Sequence, residues 1–189
     1  GAGNDCFIAR AVVGDQGRVI GLDMTEAMVD KARQNAAKMG FDNVEFQLGD
    51  IENMPLETNL ADVVVSNCVF NLVPNKQAAL AETYRILKPG GHFSISDIVL
   101  QGEIPQALQE AAEMYAGCVS GAIPKEDYLG LIQKAGFQDI EVQKQRSIEL
   151  PDSILSEYLT PELLHEFRNS GTGIFSVNVF ARKPLNNDN

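Results

Sequence analysis

Two sets of residues in this chain are chemically suggestive. The first is built from glycines and acids. Gly1 and Gly3 form a turn ahead of Asn4-Asp5-Cys6, and glycines there let backbone approach a ligand while a helix start offers unpaired N–H groups. Asp23 follows Gly3 by 20 positions and ends an apolar run, where a carboxylate can accept from both hydroxyls of a ribose. Gly49-Asp50-Ile51 closes the next alternating run. Asp50 can accept from an adenine amino group, with Ile51 and Met24 packing on opposite faces of the ring. Each of these alone reads as a capped strand end or a core residue. Together, at successive strand ends of an open α/β sheet, they point to an adenosine-bearing ligand. A dinucleotide fingerprint would put Gly or Ala three positions after Gly3; Cys6 stands there and counts against a nicotinamide dinucleotide.

The second set is the three cysteines. Their odd number and wide spacing do not read as a disulfide framework. They imply a reducing compartment, hence a cytoplasmic location. Cys68 directly follows the run Ala61–Asn67, and Cys118 lies 50 positions further on, in a stretch of small residues suited to a loop over a pocket. Singly, each reads as a small hydrophobe. Cys6, near a helix start, is expected to have a lowered thiol pKa. His92 and His165 are the two histidines; His92 falls inside a strand pattern and reads as packing rather than as a base.

The elements that must position these residues alternate. Strands are predicted over 17–23, 43–48, 61–67 and 92–99, with helices from about Asn4, from Thr25 to Met39 and from Lys76 to Leu87. Met28, Ala32, Ala36 and Met39 are expected to form the buried stripe of the second helix. The apolar run Ala61–Asn67 predicts a central strand covered on both faces, and Lys88-Pro89-Gly90-Gly91 is read as the stop of the third helix. Further on, helices are predicted over 106–115 and 125–135, then a strand over 140–148. A helical stretch over 151–169, broken by Pro161, precedes a last strand over 176–182. The two late strands are expected to pair antiparallel at the sheet edge. The pattern is α/β, a parallel sheet with crossover helices. Residues 1–184 form one domain and 185–189 a polar tail. The chain opens on a glycine turn that normally follows a strand, and a sheet without its innermost strand leaves two rows of backbone groups unpaired. The expectation is that residues upstream of Gly1 supply that strand.

Composition narrows the partners. A formal net charge of −11 argues against nucleic acid, whose binding draws on Lys and Arg, and against an anionic membrane surface. No apolar run is long enough to span a bilayer.

GAG at 1–3, GLDMT at 21–25, GDIENMP at 49–55, ADVVVSNCV at 61–69, LKPGG at 87–91 and KAGF at 134–137 resemble the class I S-adenosylmethionine-dependent methyltransferase family. The resemblance runs from Gly1 to Pro184. It implies a Rossmann-like sheet with an antiparallel last strand and S-adenosylmethionine as cofactor. Gly1 and Gly3 would cradle its methionine end, Asp23 its ribose, Met24, Asp50 and Ile51 its adenine, and Asn67 its methionyl part. More specifically, NCVFNLV at 67–73 with MYAGCVSGA at 114–122 resembles the arsenite methyltransferases. That resemblance implies Cys68 and Cys118 as ligands of trivalent arsenic, with a thiol reductant as co-reactant. Soft metalloids prefer thiolates, and a lone pair on arsenic needs no base to attack a sulfonium methyl. Two other readings stand beside it. One is a quinone-biosynthesis type C- or O-methyltransferase, with Phe70, Tyr115 and Tyr128 lining an aromatic acceptor pocket. The other is a thiol sensor that binds arsenic without turnover. Nothing in the sequence fixes the oligomeric state.

Overall fold

The computed structural model describes residues 1–104, 108–110, 112, 117–119 and 121–185, with backbone only for Cys118 and Glu166. The chain divides into two compact units, Gly1–Glu57 and Thr58–Asn189.

The first unit holds helix α1 (Asn4–Val13), strand β1 (Val19–Asp23), helix α2 (Glu26–Met39) and strand β2 (Val44–Leu48). β1 and β2 pair in parallel, from Val19 opposite Val44 to Asp23 opposite Leu48. Thr25 is the N-cap residue of α2, and Gly40 ends the helix in the left-handed region at φ +68°, where glycine carries no Cβ penalty. The buried stripe of α2 is Val29, Ala32 and Ala36, which pack with Val19, Val44 and Phe46. Met28 and Met39 are exposed, contrary to the sequence expectation. The i, i+3, i+7 frame starting at Val29 is the one that faces the strands, and the helix face centred there leaves both methionines at its margins.

The second unit holds β3 (Ala61–Asn67), a 3₁₀ turn (Phe70–Leu72), α3 (Lys76–Ile86) and β4 (Leu87–Gln101). A second 3₁₀ turn (Gly117–Val119), β5 (Ile123–Pro124), α4 (Lys125–Lys134) and β6 (Gln138–Ile148) follow. Two helices, α5 (Asp152–Leu155) and α6 (Pro161–Asn169), lead to β7 (Gly173–Arg182). The sheet order is β3-β4-β7-β6, with β5 beside β4. β3 runs parallel to β4, while β7 is antiparallel to both β4 and β6. The last strand is thus antiparallel and pairs with β6, so the two late strands close one edge of the sheet as expected, with β6 outermost and β7 between it and β4. The predicted helix over 106–115 falls partly outside the described residues; 108–110 and 112 are helical. Pro161 starts α6 at its first turn, where a missing N–H costs nothing, rather than interrupting a longer helix.

Two further expectations need correction. β3 is not covered on both faces among the described residues: its strand partner is β4, and Val63 and Val65 are 47% and 56% exposed. A β-branched run signals extended backbone, not which faces are covered. Lys88–Gly91 does not lie between helix and strand. β4 begins at Leu87, directly after α3, and the Pro-Gly-Gly stretch is an irregularity inside it, since Leu87 pairs with Ala61 but His92 with Val63. Gly90 takes φ +80°, and a Cβ on Gly91 would stand 2.9 Å from the Asp62 carbonyl oxygen. The glycines therefore let the strand bulge without ending it. Similarly, β1 has β2 as its strand partner among the described residues.

β4 organises the second unit. One face carries Phe93, Ile95, Asp97 and Val99, all fully buried. The other carries Ile98 and Leu100, which join Ile104, Leu108, Ala112, Val119, Leu150, Leu155 and Ile174 in a core cluster. Lys183, just past β7, is 7% exposed and donates from Nζ to Asn59 Oδ1 and to the carbonyls of Tyr84 and Leu87, locking the sheet's end. No helix among the described residues is long and apolar enough to cross a membrane.

Candidate functional site

In the first unit the predicted ligand residues gather at the carboxyl ends of β1 and β2 and the amino end of α1. Gly3 is the N-cap of α1 at φ +95°. A Cβ there would stand 2.7 Å from Phe7 Cζ and 2.9 Å from Phe46 Cζ, so glycine is required by both conformation and space. The Asn35 side-chain amide donates to the Ala2 carbonyl at 3.2 Å and fixes the turn. Asp23 Oδ1 accepts from the Thr25 N–H at 2.9 Å, and Oδ2 accepts from the Gly1 amino group. Burial pushes the Asp23 carboxyl up, but those hydrogen bonds outweigh it and hold the group below its usual range. It is an ionised acceptor.

The Gly49 N–H donates to the Asp23 carbonyl at 3.0 Å, tying the two strand ends together. Beyond it, Asp50 Oδ1 accepts from the Glu52 N–H at 2.9 Å, and the Asn53 N–H donates to the Asp50 carbonyl at 3.1 Å. Asp50 is thereby held in a tight turn with Ile51 half-buried beside it. Met24, directly after β1, is 75% exposed. The first unit therefore presents an ionised carboxylate at the end of β1, a second acid just beyond β2 and a glycine turn at a helix start, groups whose chemistry suits an adenosine.

In the second unit Asn67 ends β3, paired with Ser96, and is exposed. Cys68 follows at φ +55°, uncommon for a non-glycine residue, and its N–H donates to the Ser96 carbonyl at 2.8 Å. The turn forces the chain away from the strand axis immediately after Asn67 and leaves Cys68 half-buried at the strand's end. Cys118 is the middle residue of the 3₁₀ turn Gly117–Val119, anchored by Val119 at 2% exposure in the cluster below β4. Tyr115 lies outside the described residues. Phe70 and Tyr128, the other residues considered for an aromatic acceptor pocket, are 3% and 1% exposed. Both belong to the core rather than to a pocket wall.

Sequence reasoning missed Asp97. It is fully buried on the α4-facing side of β4, with Oδ2 accepting from the Tyr128 hydroxyl at 3.0 Å. Its Oδ1 has no hydrogen bond of good geometry among the described residues. Burial pushes its carboxyl up to about 7, against the opposing pull of Tyr128, the Asn71 backbone N–H and the Lys76 charge. Burial and Asp97 in turn push the Tyr128 hydroxyl well up, while burial lowers Lys76. A lone acid inside the apolar run Ile95–Leu100 was the available signal, since such residues are buried only when partnered.

Cys6 departs from expectation. Burial, then Asp5, push its thiol up, and the amino-terminal charge offsets this only in part. Its sulfur packs where a Cβ on Gly21 would be 2.7 Å away. The desolvation of a packed thiol outweighs the helix-end field. His92 stacks on Phe180 at 5.1 Å between ring centres, a packing role as expected. No cluster of three or more His, Cys, Asp or Glu side chains suited to a metal ion occurs among the described residues.

Residues 1–136 match the family model of the methyltransferase domain. Over all 189 residues the chain is 41% identical to the arsenite methyltransferase of Halobacterium salinarum, covering 46% of that protein. It is 31% identical over 161 residues to the ubiquinone/menaquinone biosynthesis C-methyltransferase of Brucella canis, covering 74% of this chain and 60% of that one. An arsenic(III) S-adenosylmethionine methyltransferase from Chlamydomonas reinhardtii superposes with a TM-score of 0.75 at 29% identity, over 99% of this chain and 62% of that one. The chain spans about half the length of the curated relatives it matches first.

Proposed function

The chain belongs to the methyltransferase-domain family, and from that premise we propose that it transfers a methyl group from S-adenosylmethionine to trivalent arsenic held by Cys68 and Cys118. When bound, S-adenosylmethionine supplies an electrophilic methyl on a sulfonium. Gly1 and Gly3 bring backbone to its methionine end, and Asn67 contacts the methionyl part. Asp23 accepts from the ribose hydroxyls. Asp50 receives the adenine amino group, while Ile51 and Met24 cover the ring.

The thiolates of Cys68 and Cys118 bind arsenite or a methylated arsenical as substrate and leave its lone pair facing outward. Arsenic then needs no deprotonation, so no histidine or carboxylate is required as a base. The residues' contribution is to position the acceptor and keep water from it. Methyl capture by the lone pair would break the sulfonium C–S bond, release S-adenosylhomocysteine as a neutral thioether and formally oxidise arsenic by two electrons. An external thiol reductant would return arsenic to the trivalent state and keep the cysteines reduced.

The observation that carries the reading is the positive-φ turn at Cys68, which puts a thiol directly after Asn67 at the carboxyl end of β3. The 41% identity with the Halobacterium salinarum arsenite methyltransferase over the whole chain supports it. The burial of Phe70 and Tyr128 weighs against the quinone-type alternative.

Incubation with S-adenosylmethionine, arsenite and a thiol reductant, followed by speciation of arsenic, tests the proposal. Methylated arsenic that disappears with Cys68→Ser is the expected result. Tight arsenite binding without product would identify a sensor. Neither binding nor product would return the assignment to the quinone type.

A further inference from the structure

We infer that Asn71 is a positioning residue that fixes the Cys68 turn against the Cys118 turn, so that the two thiols act as one bidentate ligand. The inference rests on the arsenical reading above, and its observations lie wholly within the second unit.

The β3–β4 ladder ends at Asn67 opposite Ser96, and the Cys68 N–H adds a bond to the Ser96 carbonyl. Two residues further along this edge of β4, beyond the end of the ladder, the side chain of Asn71 takes the place of a strand at Ile98. Its Nδ2 donates to the Ile98 carbonyl at 3.0 Å, and its Oδ1 accepts from the Ile98 N–H at 3.2 Å. A carboxamide reproduces both halves of a backbone amide, donor and acceptor. Asn71 is 2% exposed, so both bonds are made away from water.

Its main chain is held as firmly. The N–H points to the Asp97 carboxyl, and the carbonyl accepts from Lys76 Nζ at 3.0 Å. Lys76 Nζ also reaches the Val73 carbonyl at 3.3 Å, closing the turn that starts at Cys68. Three hydrogen bonds thus fasten a residue three positions after Cys68 to β4 and α3.

The Cys118 turn meets it from the other side. Val119 is buried beneath β4, and the Ala122 N–H donates to the Val119 carbonyl at 2.9 Å. Gly121 lies against Asn71 so closely that a Cβ would overlap the Asn71 carbonyl oxygen, and its φ is +73°. Glycine is required there by both contact and conformation. Asn71 and Gly121 are therefore one place, among the described residues, where the segment after Cys68 meets the segment after the Cys118 turn.

The prediction separates two-thiol from one-thiol chemistry. Phenylarsine oxide condenses with two thiols, forming two As–S bonds and releasing one water, whereas a monothiol reagent such as dithiobisnitrobenzoate reports each sulfur alone. In the reduced chain, phenylarsine oxide is expected to bind one equivalent tightly. Asn71→Ala and Gly121→Ala should each weaken that binding at least tenfold, since two-point attachment gains about 10²- to 10⁴-fold over one. Reaction of the thiols with the monothiol reagent should be retained, as should S-adenosylmethionine binding. A parent chain that fails to bind phenylarsine oxide through Cys68 and Cys118 would remove the arsenical reading and this inference with it. A parent that binds, with either folded variant binding equally well, would overturn the role of Asn71 alone. Gly121→Ala keeps the test open if Asn71→Ala does not fold, because it leaves every Asn71 bond to β4 possible.

Discussion

Replacing Asp97 with asparagine should change how the stability of this chain depends on pH more than it changes its structure. The carboxyl is fully buried, and its pKa is lifted from an ordinary 3.8 to about 7. Between those values the folded state holds a proton that the unfolded state has released. Stability from this group is therefore fully present below pH 4 and is lost as pH rises through 7. A tenfold difference in proton affinity corresponds to about 1.36 kcal/mol, so the full loss approaches about 4 kcal/mol, of which roughly 2 to 3 kcal/mol falls between pH 5 and pH 8. Carboxylates with lowered pKa values, Asp23, Glu45 and Glu162, act only below their ordinary range and do not enter this window. The carboxamide oxygen of the Asp97→Asn protein would still accept from the Tyr128 hydroxyl, and the amide would bear no charge at any pH. Urea unfolding of both proteins at pH 5, 6, 7 and 8 measures the effect. Relative to the parent, Asp97→Asn should gain about 2 to 3 kcal/mol of stability between pH 5 and pH 8. Parallel pH profiles for the two proteins would show that Asp97 is ionised without penalty and would refute the reasoning.

Other expectations follow from the same contacts. Cys118→Ser should lower arsenite methylation by about a hundredfold or more while leaving S-adenosylmethionine binding intact, as measured by calorimetry, if two sulfurs are needed to hold the acceptor. Asp23→Asn should weaken S-adenosylmethionine by about tenfold, because hydrogen bonds to an ionised acceptor are worth about 1.5–3 kcal/mol; unchanged affinity would place the ribose elsewhere. Lys183→Met should cost about 2–4 kcal/mol in denaturant unfolding, since the carbonyls of Tyr84 and Leu87 lose their buried donor. Gly21→Ala should cost about 1–3 kcal/mol, its methyl falling 2.6 Å from Phe46 Cδ1 and 2.7 Å from Cys6 Sγ.

Local signals were the most legible in the sequence. The alternation of β-branched runs and helices is present as read, β3 has the expected bounds, and Gly40 and Pro161 act at the ends of helices as their chemistry requires. Failures arose where three-dimensional surroundings decide. Pro89-Gly90-Gly91 has the composition of a stop signal, yet in a strand it makes a bulge, and only pairing with β3 and the link to Lys183 distinguish the two. Cys6 illustrates competition between a helix-end field and burial, whose balance depends on Gly21 and Phe46 packing around the sulfur. The Asp97, Tyr128, Asn71 and Lys76 group was not legible because its members come from β4, α4, a 3₁₀ turn and α3, with no fixed spacing to link them. The glycine and acid positions of the first unit were legible as element ends, Gly3 before α1, Asp23 closing β1 and Asp50 in the turn after β2, because turns and helix starts draw on those residue types locally.

The place of β7 between β4 and β6 has a consequence for how the chain is made. Ten of its residues pair with β4, yet Gly173 lies more than seventy positions beyond Gln101. During synthesis β4 and β6 both emerge from the ribosome with a bare edge and wait for their shared neighbour, so this sheet closes late and through distant pairings, which are slow to form. Nascent chains stalled before Gly173 should therefore be more sensitive to protease across residues 87–148 than chains stalled after Arg182. The strand that carries Asp97 and Ile98, and so the scaffold of both cysteine turns, would set only when the last plank slides in.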